Sequence, residues 1–333
     1  MERTNGADDR TFQFNNESVI YRPLTTNEQE AALTHWRSNF PATKPDFFDR
    51  YYSCASPTYV EGDTLGAFYE GSLVSTVHIC RLKPHQWNDD TLLCGGIANV
   101  STVSAYRCHG LSRHLLTLAI DKMTKEGFHY SLLGTDKYSH YAALGWEQMH
   151  LTYTIVELDQ NLLTTTSNIS KWIPFTSMTN FPDLSTLYEN NVRPLQFERS
   201  PSYFEHWVGW NWRKSSAFIN VLQGKGYIVL SILDNTDEKC LTVSEWKCED
   251  EETEKILLKS AAVEALKQNT TKLRFDALPQ YVNKQYFNEL GVVTNATHDD
   301  SMIRNINLST EKYNQLKELY TSGKSICWRS DWF

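Results

Sequence analysis

What this sequence lacks narrows its role before any motif does. Its seven cysteines, at 54, 80, 94, 108, 240, 248 and 327, are odd in number and contain no CxxC pair. Neither a metal site nor a disulfide framework is expected, and reduced thiols of a cytoplasmic protein fit better. No apolar run is long enough to span a bilayer, and the opening MERTNGADDRTFQF has no apolar signal core, so a membrane is not an expected partner. Positive charge is short as well: 32 Lys and Arg face 40 Asp and Glu, a net charge of −8. Nucleic-acid binding needs clustered basic residues, so nucleic acid is excluded as the main partner. An acidic surface instead suits a small cationic molecule. What is present is apolar matter, 41% hydrophobic and 13% aromatic, enough for real cores, in a 333-residue length that suits two domains.

The pattern along the chain is mixed α/β, written twice. After a loose N-terminus (1–17), SVIYRPL reads as a strand and TTNEQEAALTHW as a capped helix. TLGAFYE and LVSTVHICRL form a hairpin around Glu70-Gly71-Ser72, and residues 91–104 supply a further strand. Leu111, Leu115, Leu118, Ala119 and Met123 then share one helical face over 111–127. YSLLG is a buried strand, KYSHYAALG a short helix, and WEQMHLTYTIVEL the last strand of a first domain, 18–158. A Thr/Ser/Asn-rich stretch with two prolines, 159–185, reads as a linker. Residues 186–310 repeat the order hairpin, strand, long helix, strand, and 311–333 form a C-terminal helix and tail.

One stretch stands out. GGIANVSTVSAYRCHGLSRHL puts Arg107, Gly110, Ser112 and Arg113 on a strand-to-helix junction. Free N–H groups and the positive end of the helix dipole make such a junction an anion site. Gly110 lets a backbone approach closely, the arginines add charge, and Ser112 adds a donor. A capped helix with two solvated arginines is the alternative that spacing alone leaves open.

Arg107-x-x-Gly110-x-Ser112 in this setting, followed by a short strand and YAALGW, resembles the GNAT acyltransferases. The stretch CGGIANVSTVSAYRCHGLSRHLL and the ending Leu144-Gly145-Trp146 resemble the Eis-type (enhanced intracellular survival) branch. The resemblance implies two tandem GNAT-like domains, each with a mixed, mainly antiparallel sheet flanked by helices. It implies acetyl-CoA as co-substrate, its pyrophosphate held by Arg107, Cys108, His109, Gly110, Leu111, Ser112 and Arg113. Backbone N–H groups of Val100, Ser101, Thr102 and Val103 would hold the pantetheine arm and polarise the thioester. Cys108 and His109 stand where the family has further arginines, which implies fewer phosphate contacts. After SMIRNI only about 28 residues remain, too few for the third, sterol-carrier-like domain of that branch. The second-half turn, KCEDEETEKILL, has no glycine and crowds five acids, so that half is expected to bind no acetyl-CoA and to wall an acceptor pocket.

Acetyl transfer to an amine needs a base for the nitrogen, donors for the carbonyl oxygen and an acid for the thiolate. The resemblance makes Tyr141 the acid. It makes the C-terminal carboxylate, here on Phe333, the base, with Asp331 as a substitute. The expected activity is direct transfer from acetyl-CoA to the primary amine of a small cationic acceptor, such as an amino acid, a polyamine or an aminoglycoside-like compound. A fungal-type L-lysine N6-acetyltransferase is a close alternative. A non-catalytic binding or regulatory protein with a decayed GNAT site is the other, and association with further copies of the chain stays open.

Overall fold

The computed structural model describes residues 15–52, 59–84, 87, 91–165, 171–232 and 240–333, so Cys54 and residues 1–14 of the expected N-terminal tail lie outside it. β1 (Ile20–Pro23) pairs with β2 (Thr64–Tyr69), with α1 (Gln29–Asn39) and α2 (Asp46–Asp49) between them. The hairpin to β3 (Ser72–Leu82) turns on Glu70 and Gly71, both with positive φ, as a two-residue connection demands. β4 (Cys94–Thr102) runs antiparallel to β3, α3 (Leu111–Lys125) crosses over, and β5 (Tyr130–Gly134) returns parallel to β4. α3 buries Leu111, Leu115, Ala119 and Met123 as its periodicity predicts, with Leu116 joining them and Leu118 only half-buried. α4 (Tyr138–Ala142) and β6 (Glu147–Leu158) close the first half.

The expected linker does not behave as a free spacer. It holds α5 (Leu162–Thr165), and β7 (Ile173–Pro174) pairs with β8 (Phe218–Leu222) of the second half. Phe175 and Phe181 are buried there, apolar anchors that the polar composition around them obscured. After α6 (Leu184–Asn190), Ser200 caps α7 (Pro201–Tyr203), which passes through a π-helical turn, Phe204–Val208, into α8 (Gly209–Lys214). β8 and β9 (Gly226–Ile232) form the predicted hairpin. β10 (Cys240–Cys248), α9 (Glu251–Lys267) and β11 (Lys272–Phe275) repeat the parallel crossover. α10 (Phe287–Leu290), β12 (Gly291–Asn305) and α11 (Thr310–Thr321) lead to the tail.

Among the described residues, twelve strands form one sheet in the order β1-β2-β3-β4-β5-β12-β6-β11-β10-β9-β8-β7, antiparallel except at β4–β5 and β10–β11. The mixed, mainly antiparallel α/β class is as expected, but the two halves do not keep separate sheets. β12 lies between β5 and β6, while β6 lies beside β11, so each half lends its last strand to the other. The exchange covers the β5 and β11 edges, whose backbone groups would otherwise go unpaired. α3 packs on one face over Ile97, Leu133 and Trp146. The other face carries α1, α6 to α8, α11 and the tail, while the right-handed β10–β11 crossover puts α9 on the same face as α3.

Candidate active site

The Arg-rich turn opens α3 through two left-handed residues. Cys108 (φ 67°) and Gly110 (φ 80°) both take the left-handed conformation, and Gly110 is the N-cap of α3. Among the described residues, and apart from its own chain neighbours and helix backbone, no atom lies within 4 Å of where a Cβ on Gly110 would stand. The first-turn N–H groups of Leu111, Ser112 and Arg113 have no partner within the helix, and no acidic residue stands in that turn. Arg107, Cys108, His109 and Arg113 are exposed, with Arg107 Nε donating to Thr102 O at 3.0 Å. Leu111 is buried at 2%, so its side chain anchors the helix and only its N–H is on offer.

Beside this turn the sheet splits. β4 pairs with β5 only from Cys94–Gly96 to Tyr130–Leu132, and past Gly96 the strands part. A bulge marks β4 here: its register against β3 shifts between Thr76 and His78, and Asn99 takes φ 52°. Not all four expected strand donors face the split. Val103 N–H donates to Val74 O at 2.9 Å, and Ser101 O accepts from Ser75 Oγ at 2.8 Å, so both residues point toward β3. Strand alternation leaves Val100 and Thr102 facing the other way.

Tyr141 and Phe333 approach the split from opposite faces. A Cβ on Gly95 would run into Met123 of α3, whereas a Cβ on Gly96 would lie 2.6 Å from the Phe333 ring. The glycine pair therefore makes room on both faces at once. Tyr141, 9% exposed, belongs to the α3 side and packs edge-on against Trp146 with ring centroids 6.1 Å apart. Burial, with a smaller contribution from Asp136, pushes its pKa up to about 12.

Asp331 differs from expectation. It is 1% exposed, and both its oxygens accept from Arg199, at 2.9 and 2.8 Å, with Tyr203 OH donating at 3.1 Å. A carboxylate so occupied, in a buried cluster, anchors the tail and cannot swing to an acceptor. Trp207 Nε1 donates to Trp332 O at 3.2 Å and Asn211 Nδ2 to Ser330 O at 2.8 Å, so the tail is pinned along its length.

Below the tail lies a cleft, partly open to solvent, between β5, β6, β12 and α11. Leu132, Met149, Leu151 and Phe333 supply apolar wall. Asp300, Asp276 and Arg329 supply charge and His298 a polar ring, and sequence reasoning missed all four. The signal was His298-Asp-Asp300, a polar run inside β12 that forms a bulge, since the register against β6 shifts between His298 and Ser301. His298 Nδ1 stands 2.6 Å from Asp300, and that hydrogen bond holds the Asp300 carboxyl below its usual range. Burial pushes Asp276 up, but Arg329 and Arg274 outweigh it and hold it low.

A model of the acetyltransferase (GNAT) domain matches residues 20–149. These residues form a GNAT acetyltransferase domain. The GNAT domain thus contains the Arg107–Arg113 turn, the β4–β5 split and Tyr141, and it places the chain among acyltransferases, in general terms N-acetyltransferases. No curated protein matches the sequence. Among solved structures, Eis1 from Mycobacterium abscessus is similar over 86% of this chain and 73% of its own, at 13% identity and a TM-score of 0.61. A GCN5-related N-acetyltransferase from Kribbella flavida is similar over 88% and 72%, at 15% identity and a TM-score of 0.63. One from Anabaena variabilis is similar over 87% and 73%, at 14% identity and a TM-score of 0.60. At these identities the likeness is one of fold, and it extends past the GNAT domain into the second half. Among the described residues, no helix is long and apolar enough to cross a membrane.

Proposed function

We propose that the protein transfers an acetyl group directly from acetyl-CoA to the primary amine of a small cationic acceptor held in the cleft. The turn suits a pyrophosphate: it has first-turn N–H groups, the positive end of α3, and the exposed side chains of Arg107 and Arg113. Val100 and Thr102, facing the split, hold the pantetheine arm and polarise the thioester carbonyl. The Phe333 carboxylate takes one proton from the acceptor ammonium. The freed lone pair then forms the C–N bond as the C–S bond breaks. Tyr141, kept protonated by its raised pKa, gives its proton to the departing thiolate. The second nitrogen proton restores the tyrosine, and the first leaves from Phe333 to solvent.

The observation that carries this reading is the seat of Phe333 on Gly96, at the last β4–β5 pair before the split. Calorimetric titration with acetyl-CoA tests it, followed by an amine panel scored by thiol release. Micromolar binding with turnover is the expected result. Absence of binding in the wild-type protein overturns the reading, and binding without turnover on any amine favours a regulatory role instead. The cleft offers both signs, Asp300 and Arg329, and this favours a zwitterionic acceptor over a polyamine. An amino acid such as L-lysine, acetylated on its side-chain nitrogen, is the first amine to try.

A further inference from the structure

The charged cluster around Asp331 belongs to the second half, yet it touches the tail that ends at the first-half split. Arg199 Nη1 and Nη2 donate to Glu245 at 2.9 and 2.8 Å while its Nε and Nη2 grip Asp331. Ser330 joins from the tail, accepting from Arg199 Nη2 at 2.9 Å and donating to Glu245 at 2.6 Å. Tyr203 donates to Asp331 and Tyr227 to Glu245. The Arg199 guanidinium also lies 3.9 Å from the Tyr188 ring centroid. Lys247 stands nearby, its pKa depressed by burial and by Arg193. Arg199, Glu245 and Asp331 are 4%, 0% and 1% exposed.

Such a cluster is a poor source of stability. Desolvating one arginine and two carboxylates costs several kcal/mol per ion, and similar clusters can be replaced by apolar residues at no loss. Its geometric effect is larger. Arg199 spans β10 and the tail, fixing a point only two residues before Phe333. The tail has no strand partner among the described residues and ends in a short 3-10 turn, Arg329–Asp331, so side-chain contacts set its course.

We infer that Arg199 is a positioning residue, clamping Asp331 so that the Phe333 carboxylate stands at the acceptor nitrogen. This rests on Phe333 as the base. The clamp gives the second half a part in the reaction although it has no acetyl-CoA cradle of its own.

The test is Asp331→Asn, which keeps the side chain's shape and removes the excess negative charge, so the fold survives. kcat and KM are measured from about pH 6 to about pH 10, spanning most of the approach to the pKa of an alkyl amine. The expected result is a fall in kcat of about 100-fold near neutrality, the size that a misplacement of about 1 Å can produce. KM for acetyl-CoA stays level, and the deficit shrinks as pH rises, because the acceptor then loses its proton unaided. Asn211→Leu, which frees Ser330 O outside the ionic cluster, shows the same trend more weakly. An equal loss at every pH, or a wild-type kcat in Asp331→Asn, overturns the clamp. Deleting Phe333 in the otherwise wild-type chain separates the two ideas. If that deletion leaves kcat and its pH profile intact, the base assignment itself fails. If it abolishes turnover while Asp331→Asn is normal, only the clamp fails.

Discussion

The β4–α3–β5 and β10–α9–β11 units are one motif used in two ways. Each has a bulged strand, a crossover helix and a parallel return strand. In the first, Gly110 opens the helix and no acid stands in its first turn. In the second, Asp250 caps the helix, its Oδ1 accepting from Thr253 N–H at 2.7 Å, and Glu251, Glu252 and Glu254 fill the first turn. Glu254 is buried, accepting from the backbone N–H groups of Gln280, Tyr281 and Val282 at 2.8, 2.7 and 2.8 Å and from Trp246 Nε1 at 2.9 Å. The second unit thus supplies its own anion, whereas the first leaves its helix start without one, as the proposed acetyl-CoA site requires. A helix dipole is indifferent to the source of the negative charge, so a few residues separate an open helix start from a structural joint.

The sharpest way to break this comparison is to give the first unit what the second has. Gly110→Glu places a carboxylate in the cradle and a side chain on a left-handed residue. Calorimetry should then register no acetyl-CoA binding, whereas Glu252→Lys in the second half leaves binding unchanged. Retained binding in Gly110→Glu would remove the turn from the cofactor site. Glu254→Ala tests the other side. It strands the buried N–H groups of Val282 and Trp246 and, at about 1–3 kcal/mol for each, should cost about 3 kcal/mol in a denaturant melt, with acetyl-CoA affinity in the folded fraction unaltered.

Smaller effects sharpen the contrast at the split. Tyr141→Phe should lower kcat about 100-fold, within the range for a lost general acid, with acetyl-CoA affinity unchanged. Unchanged turnover would discard Tyr141. Gly96→Ala should push the Phe333 ring aside and cost about 10-fold in kcat, a fraction of the loss expected for a full 1 Å displacement. Gly226→Ala in β9 meets backbone instead and should affect the melt but not kcat/KM.

A last effect, confined to acid pH, is a pH dependence of stability from the first half. Burial lowers the pKa of His78 from 6.5 to about 3. Between those values the unfolded chain binds a proton that the folded chain refuses, so stability rises with pH across that window and is level above about pH 6.5. The slope of Tm against pH should flatten in His78→Gln, and an unaltered slope would assign it to other groups.

The Arg107–Arg113 turn, α3 and the hairpins were legible because each depends on neighbours in sequence: a glycine that permits positive φ, a helical period, a two-residue turn. Tyr141 was singled out by the resemblance, four residues before Gly145, and the structure buries it on the α3 side. Asp331 was visible as an acid near the tail, but its partners Arg199 and Glu245 lie 132 and 86 positions away, and nothing local announces them. The same holds for Val103, whose N–H is spent on Val74 across the hairpin rather than turned to the split.

The sequence by itself determined the local units of this protein and the contrast between its two helix starts, since capping, turn chemistry and charge act over a few residues. Only the tertiary structure decided that β12 enters beside β5, that Phe333 rests on Gly96, and that His298, Asp300 and Arg329 meet in one cleft. Those contacts follow from which strand edges pair and which buried charges neutralise one another. Such matches are made in space between segments whose order along the chain does not fix them.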